Sequence, residues 1–138
     1  MKTFTKWIDG LQFVSNSEKG QGLVLASSAD NAVPLNGVSP MELLLHAVAG
    51  CSAMDIISIL QKKRQPVKTF TIEVNGDRAT EHPKIFTKME VVYRVSGVGI
   101  DPAAVEQAIN LSTDKYCSVI AMLKKSCEIV TRYEITEG

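Results

Sequence analysis

Residues 43–60, LLLHAVAGCSAMDIISIL, form the longest apolar stretch of the chain, and they narrow the choice of folds more than any other feature. Both ends carry helix signals. Ser39 suits an N-cap, Pro40 the first helical position, and Glu42 follows Ser39 at the spacing of a capping box. Lys62, Lys63 and Arg64 oppose the C-terminal end of the helix dipole, and Pro66 stops the helix. About 25 residues rising about 1.5 Å each give a rod of roughly 37 Å. Apolar side chains occupy almost its whole circumference, so protein should surround it. A short chain can hardly do that alone, and a homodimer is expected. A membrane span is the competing reading, but Glu42, His46 and Asp55 would be costly in lipid and no comparable second span exists.

The rest of the chain alternates strands and helices. Residues 3–8 read as a strand, Asp9-Gly10 as a hairpin turn, residues 11–14 as the returning strand and residues 23–26 as a third. Asp30, Asn31, Pro34, Asn36 and Gly37 make residues 27–38 a loop. Beyond the long helix, Phe70, Ile72 and Val74 share one strand face; Ile85, Met89, Val91, Tyr93 and Val95 share another. Asp101-Pro102 opens a second helix, with Ala104, Val105, Ala108, Ile109 and Leu111 at helical spacing, and residues 118–125 read as a short third. In the last strand Cys127, Ile129, Thr131, Tyr133 and Ile135 alternate with Glu128, Arg132 and Glu134. The order is βββ-α-ββ-αα-β, a single α+β domain over residues 1–138.

Fifteen basic and fifteen acidic residues balance, so no global field recruits nucleic acid or an anionic membrane. Aromatic residues make up 6%, with no basic run among them, which disfavours a base-stacking platform. Residues 1–20 lack the basic head and apolar block of a signal peptide, so a soluble cytoplasmic protein is expected. In that compartment three cysteines are not a structural disulfide framework, and any bridge would be transient and redox-linked.

Two cysteines are the candidates for chemistry. Cys51 lies within the apolar stretch, and helical geometry places Leu44, Ala47, Val48, Met54, Asp55 and Ser58 around it. Gly50 before it permits another backbone to approach. Such a thiol is either inert packing or a nucleophile shielded from water. Asp55, one turn on, would disfavour its thiolate. Cys117 follows Lys115 and Tyr116 and immediately precedes a helical turn, whose free N–H groups could stabilise a thiolate. It could equally be a helix cap that happens to be sulfur. Cys127 reads as core. Glu42 would make a general base, but the capping box already accounts for it. His46, on the face of Glu42, reads as a satisfied buried histidine. Neither His46 nor His82 has metal-ligand spacing to a cysteine, so no metal is expected, and without a Gly-rich phosphate loop no cofactor is expected.

Residues 39–45 (SPMELLL), residues 50–55 (GCSAMD) and residues 115–119 (KYCSV) together resemble the OsmC/Ohr family, the osmotically induced OsmC proteins and the organic hydroperoxide resistance proteins. The resemblance covers essentially the whole chain. It implies an intertwined homodimer with the long helices at the interface, and a thiol peroxidase in oxidative-stress defence. By position, Cys51 matches the peroxide-attacking cysteine and Cys117 the resolving one. The implied partners are an organic hydroperoxide and a dithiol reductant, typically a lipoylated protein. The family's reductases carry glutamate directly after the proline, where this chain has Met41 and displaces the acid to Glu42. They also use an arginine from the N-terminal strands, whereas the first arginine here is Arg64, and Ser118 replaces the proline that usually follows the second cysteine. In this respect the chain is similar to the less-characterised OsmC-like branch. Glu42, Met41, Asp55 and Tyr116 are the candidate supporting residues. Two other outcomes stay open: a binding protein for a small hydrophobic ligand, and a thiol-redox sensor.

Overall fold

A computed structural model describes residues 1–27 and 37–138. Asp30, Asn31, Pro34 and Asn36, on which the expected loop rests, lie outside the described residues. The chain forms two compact units, Met1–Leu44 and Leu45–Gly138.

The first unit is an antiparallel sheet of β1 (Thr3–Asp9), β2 (Gln12–Ser17) and β3 (Gly22–Ala26), in that order. The Asp9-Gly10 hairpin forms as expected. Gly10 takes φ +51°, which a residue without Cβ adopts freely. The Trp7 indole N–H donates to the Gly10 carbonyl at 2.9 Å, beside a register slip between Trp7 and Asp9. Helix α1 (Pro40–Lys62) begins in this unit with the full capping box. Glu42 N donates to Ser39 Oγ at 3.2 Å, and Ser39 N donates to Glu42 Oε2 at 3.3 Å.

The second unit holds the remainder of α1 and a sheet of β4 (Thr69–Arg78), β5 (Phe86–Ser96) and β6 (Glu128–Thr136). Strand β5 is central, antiparallel to β4 and parallel to β6. A parallel pair needs a crossover. Helix α2 (Pro102–Leu111), a π-helical turn at Ser112–Tyr116 and helix α3 (Ser118–Leu123) supply it. The observed order is therefore the expected βββ-α-ββ-αα-β, with one π turn added.

Val48, Ser52, Ile56 and Leu60, one turn apart, form the buried stripe of α1. Leu45 approaches Gly76 of β4, where a Cβ would sit 3.0 Å from Leu45 Cδ2 and 2.5 Å from the Phe86 ring. Glycine at 76 is therefore a packing requirement. The rest of α1 is incompletely covered. The helix is long and apolar enough to cross a bilayer, yet only 22% of its apolar window is buried within the chain.

One strand assignment needs correction. Ile85 was expected on the inward face with Met89 but is 49% exposed, while Phe86 is buried. The β4–β5 register slips between Asp77 and Arg78, so that Arg78 pairs with Phe86. Such an irregularity reverses the facing of every residue beyond it, and simple alternation cannot anticipate it.

Candidate functional site

Cys51 occupies the middle of α1, half-buried, beside the buried Val48–Ser52 face. Asp55 follows one turn later on the same side. Cys117 arrives from the crossover. The π turn places it as the N-cap of α3, where its backbone N–H donates back to Ser112 O at 2.8 Å and its Sγ accepts from Ile120 N at 3.4 Å. The cap reading of Cys117 is thus correct in geometry. It does not exclude chemistry, because the same placement brings Cys117 to α1. The ligating atoms of Cys51, Asp55 and Cys117 all lie within 4.8 Å of one another. Both cysteines are free thiols, and all three residues belong to the unit Leu45–Gly138.

Three neighbours escaped the sequence reading. Ser112, fully buried, donates its hydroxyl to Asp55 Oδ2 at 2.9 Å. Ser52 is also fully buried, and its hydroxyl donates to Val48 O at 2.8 Å. Tyr93, at the centre of β5, has no exposed surface, and its hydroxyl lacks a well-formed hydrogen bond. That hydroxyl faces Ser52 and lies close enough to Cys117 and Asp55 to feel their charge. Ser112 and Tyr93 carry no motif. Ser112 could be found only by knowing the π turn, and Tyr93 reads in sequence as one more inward strand residue.

Burial sets the electrostatics. It pushes the Tyr93 phenol up to about 12, with further raising from Cys117 and Asp55. It also pushes the Cys117 thiol up to about 11, outweighing the N–H donors of Ile120 and Val119, while Cys51 raises it further. The expectation that helix N–H groups would favour a Cys117 thiolate is therefore reversed: desolvation wins, and the resting Cys117 holds its proton. Cys127 is buried apart from this cluster, and burial raises its thiol as well.

The remaining candidates divide. Tyr116 is half-exposed and carries the Lys115 ammonium 5.3 Å from its ring centroid. With Met54, Asp55, Ser58, Ile59, Lys62 and Leu111 it lines a cleft of about 380 Å³, so one wall of the cleft is the site's carboxylate. Glu42 is exposed and engaged with Ser39, and Met41 beside it is half-buried; both belong to the unit Met1–Leu44. His46 is exposed, which corrects its reading as a buried histidine.

The sequence profile of the OsmC-like protein family matches residues 30–132. Protein YhfA of Escherichia coli (strain K12) is 38% identical over 135 residues, covering 98% of each chain. The crystal structure of a hypothetical protein from Aquifex aeolicus VF5 superposes with a TM-score of 0.88 at 35% identity, over 99% of this chain and 96% of that one. The organic hydroperoxide resistance protein OhrB of Bacillus subtilis shares the fold, with a TM-score of 0.70 at 12% identity over 96% of each chain.

Proposed function

The chain belongs to the OsmC family, and from that premise we propose that it is a thiol-dependent peroxidase that reduces organic hydroperoxides to alcohols. The observation that carries this reading is the approach of the Cys51 and Cys117 sulfurs to within 4.8 Å. A disulfide needs about 2.0 Å between sulfurs, so a side-chain rotation and a small backbone adjustment would close it.

Cys51 is the attacking residue, because it is the less buried of the two. Asp55, whose carboxylate lies within 4.8 Å of the Cys51 sulfur, would take its thiol proton through an intervening water or after a small side-chain shift. The thiolate attacks the distal peroxide oxygen, the O–O bond breaks, and the alkoxide leaves as an alcohol after taking up a proton. Cys51 is then a sulfenic acid. The Cys117 thiol condenses with it, forming the S–S bond and releasing water. An external dithiol, a lipoylated protein being the family's typical one, takes up the oxidising equivalents and restores both thiols. Burial is the main influence that holds Cys117 protonated; conversion of Cys51 to the uncharged sulfenic acid removes only the lesser contribution of a Cys51 thiolate charge. The cleft walled by Met54, Ile59, Leu111 and Tyr116 would hold the alkyl part of the substrate and so favour organic peroxides.

The reading includes a cytoplasmic homodimer. It would cover the open faces of α1 and the exposed Phe4, Trp7 and Leu11 of the N-terminal sheet. Cumene hydroperoxide consumption with dihydrolipoamide as reductant tests the activity. Wild type should turn over and Cys51→Ser should not; equal rates in the two would refute it. The same cleft favours a second reading, a binding protein for a small hydrophobic ligand. Retention of a lipid through native mass spectrometry, with no turnover, would select that alternative.

A further inference from the structure

We propose that the reduced Cys51–Asp55–Cys117 cluster is a binding site for a borderline-soft divalent cation of the Zn²⁺ class, and that the metal and the disulfide exclude one another. Sequence spacing hides this site, since two ligands lie one turn apart on α1 and the third caps α3. Two sulfurs and a carboxylate oxygen within 4.8 Å of one another need only modest contraction. Tetrahedral ligation with Zn–S near 2.3 Å and Zn–O near 2.1 Å sets its ligand atoms about 3.6–3.8 Å apart. Three protein ligands leave a fourth position for water, the arrangement of an accessible rather than a sealed zinc site.

The surroundings fit a metal centre independently of the ligand count. Ser112 is fully buried and its hydroxyl fixes Asp55 Oδ2, which turns the carboxylate and leaves Oδ1 to coordinate. Tyr93 adds a fully buried hydroxyl without a well-formed partner beside Asp55 and Cys117, a donor for a coordinated thiolate or for the fourth-position water. Ion access exists, because Cys51 is half-buried and Asp55 borders the cleft. On binding, each thiol releases its proton to solvent as its sulfur–metal bond forms. No redox change occurs, so the site stands whether or not the protein is a peroxidase. If it is one, metal occupancy blocks the attacking sulfur and a disulfide ejects the metal.

The test is an anaerobic titration of the reduced, chelator-treated protein with Cd²⁺, followed by the ultraviolet sulfur-to-cadmium charge-transfer band. Saturation at one equivalent per chain is expected, with intensity for two thiolates. Cys127→Ser should titrate identically. Asp55→Asn should keep the band but weaken binding by at least about tenfold. Wild type oxidised to the disulfide should show no band until it is reduced, a comparison that needs no mutant to fold. A band that never saturates, one that survives in the oxidised protein, or one lost in Cys127→Ser would overturn the proposal. Peroxide turnover is measured separately, so failure of the metal site and failure of the peroxidase reading give different results.

Discussion

At the residue scale the two cysteines differ by their burial. Cys117, nearly inaccessible, keeps its proton well above neutrality, with its thiol pushed up to about 11 from an ordinary value near 9. The unfolded chain loses that proton first as pH rises, so this thiol costs no stability below pH 9 and lowers it progressively as pH climbs towards 11. Tyr93 extends the decline towards 12. Urea midpoints measured across this range should fall for wild type, and Cys117→Ala should lessen the fall between 9 and 11, leaving the part due to Cys127 and Tyr93; a parallel fall in both would contradict the assignment. Tyr93 yields a second prediction. Its hydroxyl is buried without a well-formed partner, so Tyr93→Phe should be neutral or stabilising by up to about 1 kcal/mol, read as an unchanged or higher urea midpoint. Neither residue's behaviour is legible in the sequence. Cys117 looks activated by its helix until the depth of burial is known, and the polar end of Tyr93 is invisible in an apolar alternation.

At the element scale, legibility followed local chemistry. The start of α1 is written in Ser39, Pro40 and Glu42, and both capping-box hydrogen bonds form. Ser39→Ala should accordingly cost about 1 kcal/mol in chemical denaturation. The inward set of β6 and the Asp101 cap of α2 were equally plain, because each rests on neighbours in sequence. Two elements were not legible. The π turn at Ser112–Tyr116 has no propensity signature, yet it delivers Ser112 to Asp55 and Cys117 to Cys51. The β4–β5 register slip buries Phe86 in place of Ile85 and leaves Gly76 against the Phe86 ring. A methyl group there would overlap that ring, so Gly76→Ala should destabilise by about 1–3 kcal/mol, measured by the same denaturation assay.

At the scale of the whole molecule, the long apolar helix is largely uncovered by its own chain. Only a fifth or so of its apolar window is buried by its own chain, and the N-terminal sheet exposes Phe4, Trp7 and Leu11. Sedimentation should therefore give twice the 15.0 kDa chain mass at micromolar concentration, and a monomer would contradict the homodimer. The family's usual glutamate after the proline and its N-terminal arginine are both missing from the expected positions. The function proposed for the molecule therefore rests on a local arrangement of its own, Asp55 held by Ser112 beside two thiols.

The most direct test of that function counts thiols and weighs the intact chain after one equivalent of cumene hydroperoxide, for wild type and for Cys117→Ser. Two thiols should vanish in wild type with the mass change of a disulfide, and the variant should carry one added oxygen on Cys51. If both thiols survive unreacted in wild type, the two-cysteine mechanism is wrong and the cleft beside Asp55 serves binding instead.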